Sequence, residues 1–255
     1  MNRSPAAQTV AERLPTTQTG YHSGVIESSE SVDGFRPRGR EVSRIEAFSD
    51  VVFGFALTLL VVSLEVPKTI EDFMALLHDF VPFAICFFLF IQIWHSHYLF
   101  FRRYGLQDSK TMILNTVLLF VVLFYVYPLK FLFTLMFSAK QQPMTISQAR
   151  TVYIVYALGV AAVFFLIALM YVHAYQLRKA LSLNEVERID TLSEIFDNLG
   201  TGVIGLLSLL IAVIAPPGKL GVAGWIYFAI AIPKTFVPTY FGRARRRLMA
   251  ENASL

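Results

Sequence analysis

The chain has 255 residues, of which 55% are hydrophobic and 14% aromatic while only 16% are charged. No soluble domain of this size has an interior that could take so much apolar side chain, so the composition excludes the soluble globular classes and points to a polytopic membrane protein. The net charge of +4 would suit a nucleic-acid binder, but the basic residues sit in the tails and at the ends of apolar segments, and the single Cys86 excludes a disulfide framework and a cysteine-based metal site.

Residues 1 to 40 are rich in Ser, Thr, Gly, Glu and Arg and contain no apolar run. They read as a disordered tail rather than a signal peptide. Six apolar segments follow, at about 45–66, 76–101, 112–138, 151–176, 198–215 and 221–241, each able to cross about 30 Å of hydrocarbon at ~1.5 Å per residue. The expected architecture is an all-α bundle of six transmembrane helices over 41–242, followed by a basic tail over 243–255.

The first segment opens with Arg44-Ile-Glu-Ala-Phe-Ser-Asp50. An Arg or Asp facing lipid at a helix centre costs about 2.5–3.5 kcal/mol, so these groups should face protein or water. Arg44, Phe48 and Val51 follow one another on one helical stripe, with Ser49 and Asp50 beside it. A plain alternative is an N-cap, with Ser or Asp accepting from the first turn and Arg44 among headgroups. The pattern Arg44-x-x-x-Phe48-Ser49-Asp50, continued by Leu57-Thr58-Leu59-Leu60, resembles the signature first helix of the transmembrane protein 175 family. That resemblance implies a potassium channel without a carbonyl selectivity filter. It implies a homotetramer in a lipid bilayer, with potassium as the permeating ion. A membrane enzyme would need a polar constellation at membrane depth, and His95, His97 and His173 have no carboxylate-rich motif around them, so no enzymatic activity, cofactor or metal is expected. In the family the first helix lines the pore and its constriction is apolar; the matching positions here are Phe55, Thr58 and Val62. Ile or Leu is common where Phe55 stands, so the constriction here is bulkier. The plain alternative is that Phe53 and Phe55 only pack within the bundle.

The second segment ends in Trp94-His-Ser-His97-Tyr98, ahead of Arg102-Arg103. Aromatic residues at a helix end are expected of an interfacial belt. The resemblance assigns Trp94 and His97 instead to holding Arg44 and Asp50, and a His-Asp pair there would accept a proton. The third segment carries Asn115, which should hydrogen-bond a neighbouring helix as structural glue; the family's third helix similarly begins near an Asn, and the resemblance groups Asn115 with Trp94 and His97 as supporting residues. In the fourth, Gly159, Ala161 and Ala162 permit close helix approach. Asn184 to Ile195 then reads as a short amphipathic surface helix. Gly202, Gly205 and Ser208 form a small-residue face on the fifth segment. In the sixth, Lys234 lies too deep to snorkel easily: it is paired, lines a cavity, or marks a break at Pro233.

If the termini and the second and fourth connections share one side, that side holds sixteen Lys and Arg against five opposite. The positive-inside rule makes it the cytoplasm. With no signal peptide and one six-span repeat, a prokaryotic plasma membrane is expected. The competing function is a secondary, proton-coupled transporter using Lys234, His97 and Asp50, although such carriers usually show paired repeats and broken helices.

Overall fold

The computed structural model describes residues 35–39, 41–62, 66–137 and 144–253, and every element among them is helical. The elements are α1 (Arg44–Val62), α2 (Ile70–Tyr104), α3 (Ser109–Phe137), α4 (Ile146–Gln176), α5 (Glu185–Ile214), the short α6 (Val222–Trp225) and α7 (Ala231–Ala253). Turns of 3-10 helix at Pro217–Lys219 and Ile226–Ile230 flank α6. Six of these stretches are long and apolar enough to cross a membrane: Arg44–Val62, Phe83–Tyr104, Ser109–Leu132, Ile146–Gln176, Glu185–Ile214 and Pro217–Glu251. The expected six-span, all-α architecture is therefore what the chain adopts.

Helix starts follow local chemistry. Thr69 with Asp72, Thr145 with Gln148 and Asn184 with Glu187 each form a reciprocal capping box. In each, the cap side chain accepts from the third helical N–H while that residue's side chain accepts from the cap N–H. Ser43 Oγ likewise accepts from the Glu46 N–H at the head of α1, at 3.2 Å. Gly105 ends α2 in the left-handed conformation at φ 60°, which is why a glycine stands there.

The helices form two groups. α1, α2 and α3 pack on one another, α4 packs most extensively on α5, α5 carries α7, and α3 against α4 joins the groups. A Cβ on Gly205 would lie 2.9 Å from the backbone nitrogen of Ala161, so the small faces of α4 and α5 do meet, as their composition suggested. Ser208, on the same face, donates to the Ala223 carbonyl at 2.8 Å.

Three features differ from expectation. The stretch Asn184 to Ile195 is not a separate surface helix: Asn184 caps α5, which runs unbroken to Ile214. No Pro or Gly stands between Ile195 and Leu199, and the polar residues there have partners: Asp197 Oδ2 pairs with the Lys234 ammonium, and Asn198 donates to the Glu194 carbonyl at 2.8 Å. The residues from 243 onward continue α7 to Ala253 rather than forming a tail. Finally, Phe35–Gly39, placed within the tail by composition, is packed against the bundle; Phe35 is only 2% exposed. The rest of that tail, 1–34, lies outside the described residues.

Candidate functional site: the two faces of α1

α1 has one face against the bundle and one that the described residues leave open. Ser49, Val52, Phe53, Ala56 and Leu60 are buried at spacings of three and four. On the opposite side run Arg44, Phe48, Val51, Phe55, Thr58 and Val62, all exposed; Phe55 is 62% and Val62 71% exposed, so nothing among the described residues covers them. The two phenylalanines are thereby separated. Phe53 is 2% exposed and lies 5.5 Å from the His97 ring, whereas Phe55 points away from the bundle.

A chain of hydrogen bonds crossing three helices holds the buried face. His97 Nε2 lies 2.8 Å from Asn115 Oδ1, Asn115 Nδ2 donates to Ser49 Oγ at 2.8 Å, and Ser49 Oγ donates to the Ile45 carbonyl at 2.8 Å. The directions are mutually consistent. With its hydroxyl proton committed to Ile45, Ser49 can only accept; Asn115 must then turn its amide NH2 to Ser49 and its oxygen to His97, so His97 carries its proton on Nε2. All three side chains are buried, Ser49 completely. In an apolar surround such a network specifies one registration of α1, α2 and α3.

Beside it, Trp94 Nε1 donates to Asp50 Oδ1 at 2.8 Å, a second tie from α2 to α1. Of the residues singled out in the sequence, the structure thus brings together Ser49, Asp50, Trp94, His97 and Asn115. Two expectations are corrected. His97 does not hydrogen-bond Asp50, because Asn115 claims its Nε2 and the Trp94 indole claims the carboxylate; the expected His-Asp pair is not formed. Arg44 and Phe48 stand on the open face, and Arg44 has no hydrogen-bond or ion-pair partner among the described residues.

On the open face, Thr58 Oγ1 donates to the Gly54 carbonyl at 2.8 Å. Its proton is turned into its own helix, which leaves the oxygen lone pairs facing outward. Around Gly54 there is open space: a Cβ there would meet nothing within 4 Å.

One anchoring group was missed. Glu187, with a fully buried side chain, receives Arg38 Nη2 at 2.7 Å and Nη1 at 3.2 Å, and the Arg36 N–H at 3.0 Å. Arg38 Nε also donates to the Leu181 carbonyl at 2.8 Å, and Gly39 and Arg102 exchange a pair of bonds, N–H to carbonyl at 3.2 Å and Nη1 to carbonyl at 3.1 Å. Phe35 packs edge-on to Tyr104 at 5.5 Å. The segment just before α1 is therefore fastened to the end of α2 and to the α4–α5 turn. The Asn184-x-x-Glu187 spacing was a visible capping signal, but nothing in sequence paired it with an arginine 149 positions away.

The Lys234 alternatives also close. Its ammonium is paired with Asp197 of α5 and lies 5.6 Å from the Phe164 ring centre.

Comparison with known proteins gives a consistent set of likenesses. Residues 44–125 match the family model described as the endosomal/lysosomal potassium channel TMEM175. A protein of Marivirga tractuosa described as a potassium channel is 42% identical over 234 residues, spanning 84% of this chain and 93% of the relative. A potassium channel of Chamaesiphon minutus is 31% identical over 100 residues, 36% of this chain and 49% of that one. The fold is similar to the crystal structure of a threonine-to-alanine variant of the potassium channel MtTMEM175 in complex with a nanobody-MBP fusion protein. The TM-score is 0.72 at 40% identity, over 84% of this chain and 97% of the other.

Proposed function

The chain belongs to the TMEM175 family, and from that premise we propose that it is a potassium-preferring cation channel whose pore forms between copies of α1. The observation that carries this reading is the division of α1 into a locked face and an open one. Ser49 and Asp50 are tied to α2 and α3, while Phe55, Thr58 and Val62 share a face with no cover from the described residues. In a homotetramer these faces would converge on a four-fold axis.

Four Phe55 side chains would make an apolar constriction, Thr58 a ring of hydroxyl oxygens a turn deeper, and Val62 a second apolar ring. Such a throat selects by dehydration. Potassium holds its water less tightly than sodium, and the outward lone pairs of Thr58 replace part of the lost shell, with no need for a carbonyl filter. Arg44 and Phe48 would flank the entrance on the same stripe, and both termini would be cytoplasmic in a prokaryotic plasma membrane.

The carrier alternative needs a continuous polar path. His97 and Asp50 lie at the α1–α2–α3 contact, held by Asn115 and Trp94, whereas Lys234 is paired with Asp197 between α5 and α7, a separation that favours the channel reading. The test is potassium and sodium flux into liposomes at a clamped potential, for wild type and Phe55→Ala. Higher flux with a reduced potassium preference in the variant supports a constriction at Phe55. A tetramer that passes neither ion, with or without Phe55, overturns it.

A further inference from the structure

The far edge of the bundle from α1 carries a second surface with a distinct chemistry. α7 packs chiefly on α5, and at about 100° per residue its exposed residues Ile232, Phe236, Tyr240, Arg243, Arg246 and Arg247 fall within an arc of roughly 120°. The remaining arginine of the run, Arg245, lies on the opposite side. Its Nε is 3.3 Å from Asp190 Oδ2 of α5, which fixes the rotation of α7 and turns the other three outward. Along the helix this outward stripe passes from aliphatic and aromatic to amphipathic to cationic.

The depth of the cations follows from an internal ruler. Trp225 and Phe228, 71% and 75% exposed, stack at 5.5 Å near the other end of the span, as expected of residues at a membrane interface. Five residues of 3-10 helix at ~2.0 Å each and the α-helical rise from Ala231 at ~1.5 Å each put Arg243 about 30 Å from Trp225, the thickness of the hydrocarbon core. Phe236 is then among acyl chains, Tyr240 near the boundary and the three arginines at phosphate level. The acidic neighbours on α5 do not compete: Asp190 is engaged by Arg245, and Asp197 by Lys234. Glu251 follows a turn beyond Arg247, farther from the hydrocarbon.

We propose that Arg243, Arg246 and Arg247 form a binding site for the headgroup phosphates of anionic phospholipids, with the Phe236–Tyr240 surface receiving the acyl chains. Planar guanidinium groups suit this because each can donate two parallel bonds to phosphate oxygens. The proposal requires only that the chain spans a membrane, and it is independent of what the pore conducts.

The test is native mass spectrometry of the full-length protein in detergent, titrated with phosphatidylglycerol or phosphatidylcholine. The proteins are wild type, the combined variant Arg243→Gln/Arg246→Gln/Arg247→Gln, the two singles Arg243→Gln and Arg247→Gln, and the exposed Lys179→Gln as a charge control. Wild type and Lys179→Gln should prefer phosphatidylglycerol; the triple variant should bind it about tenfold or more weakly with phosphatidylcholine unchanged, and the singles should fall between. Size-exclusion profiles check that the variants are folded, and if the triple variant is not, the singles decide. Equal binding of the two lipids by wild type, an unchanged preference in the variants, or an equal loss in Lys179→Gln overturns the proposal. So does displacement of phosphatidylglycerol by millimolar inorganic phosphate, which would make the site one for free phosphate.

Discussion

Arg38 and Glu187, 149 positions apart, form a two-pronged ion pair in which the carboxylate is fully buried and the guanidinium partly so. The pair fastens the five residues Phe35–Gly39 under the α4–α5 turn, a few residues ahead of α1. Removing Arg38 takes away the closest cation from a buried carboxylate, which keeps only the Arg36 and Asn184 N–H groups and the more distant Arg36 guanidinium, at a cost of about 2 kcal/mol or more. Arg38→Ala is accordingly expected to lower the apparent melting temperature markedly. Exposed Arg188→Ala should leave it unchanged. A melting curve for Arg38→Ala that overlays wild type would show the clasp to be dispensable.

Asn115 donates to Ser49 and accepts from His97, so Asn115→Leu removes two buried hydrogen bonds at once and leaves His97 Nε2 without its partner. The expected loss is about 2 kcal/mol, against ~1 kcal/mol for Ser49→Ala, which removes the bond to Asn115 and a second bond to an Ile45 carbonyl that lies within α1. Because the two residues share a bond, the double variant should cost less than the sum of the singles. Strict additivity in equilibrium unfolding would mean that the bond contributes nothing.

Thr58→Val keeps the shape of the side chain and removes its oxygen. The hydroxyl bonds only its own helix, so stability should be nearly unchanged. In the liposome assay the potassium-to-sodium flux ratio is expected to fall a few-fold, since the lone pairs that replace hydration are gone. An unchanged ratio would remove Thr58 from the account of selectivity.

Gly205 and Gly54 give opposite expectations for the same substitution. Gly205→Ala puts a Cβ against the Ala161 backbone and should destabilise the α4–α5 packing by about 1–3 kcal/mol. Gly54→Ala meets open space within the chain and should not reduce its stability. If copies of α1 converge as proposed, flux through Gly54→Ala will change all the same, and identical flux would argue against close approach there.

Asp108, in the loop between α2 and α3, caps α3 and touches His173. Burial pushes its carboxyl pKa up, but the Thr111 hydroxyl, the His173 ring and the Thr111 N–H outweigh it, and the carboxyl is held below its ordinary value. A folded-state pKa below the unfolded one contributes stability that is complete above about pH 4 and is lost as the pH falls through the lowered value. The stability gap between wild type and Asp108→Asn should therefore be constant near neutral pH and close in strong acid. A gap that widens on acidification would reverse the sign of this account.

What the sequence by itself determined is the scale of the protein and its local grammar. The six apolar segments set the number of spans, and Thr69 with Asp72 and Asn184 with Glu187 sit at capping-box spacing. The motif from Arg44 to Asp50 pointed to the family that the comparisons bear out. Which face each span turns inward was decided only by the tertiary structure. In water, burial separates apolar from polar faces and periodicity betrays the core; in a bilayer the lipid-facing side is as apolar as the packed side, so the signal is lost. Phe53 and Phe55 are identical in chemistry and two residues apart, and only the packing of α1 on α2 and α3 buries one and leaves the other open. The same holds for the long-range polar pairs. Arg38 with Glu187, Lys234 with Asp197 and His97 with Asn115 join segments far apart in sequence or on different helices, and each partner is specified by where the folded backbone brings the two side chains within reach.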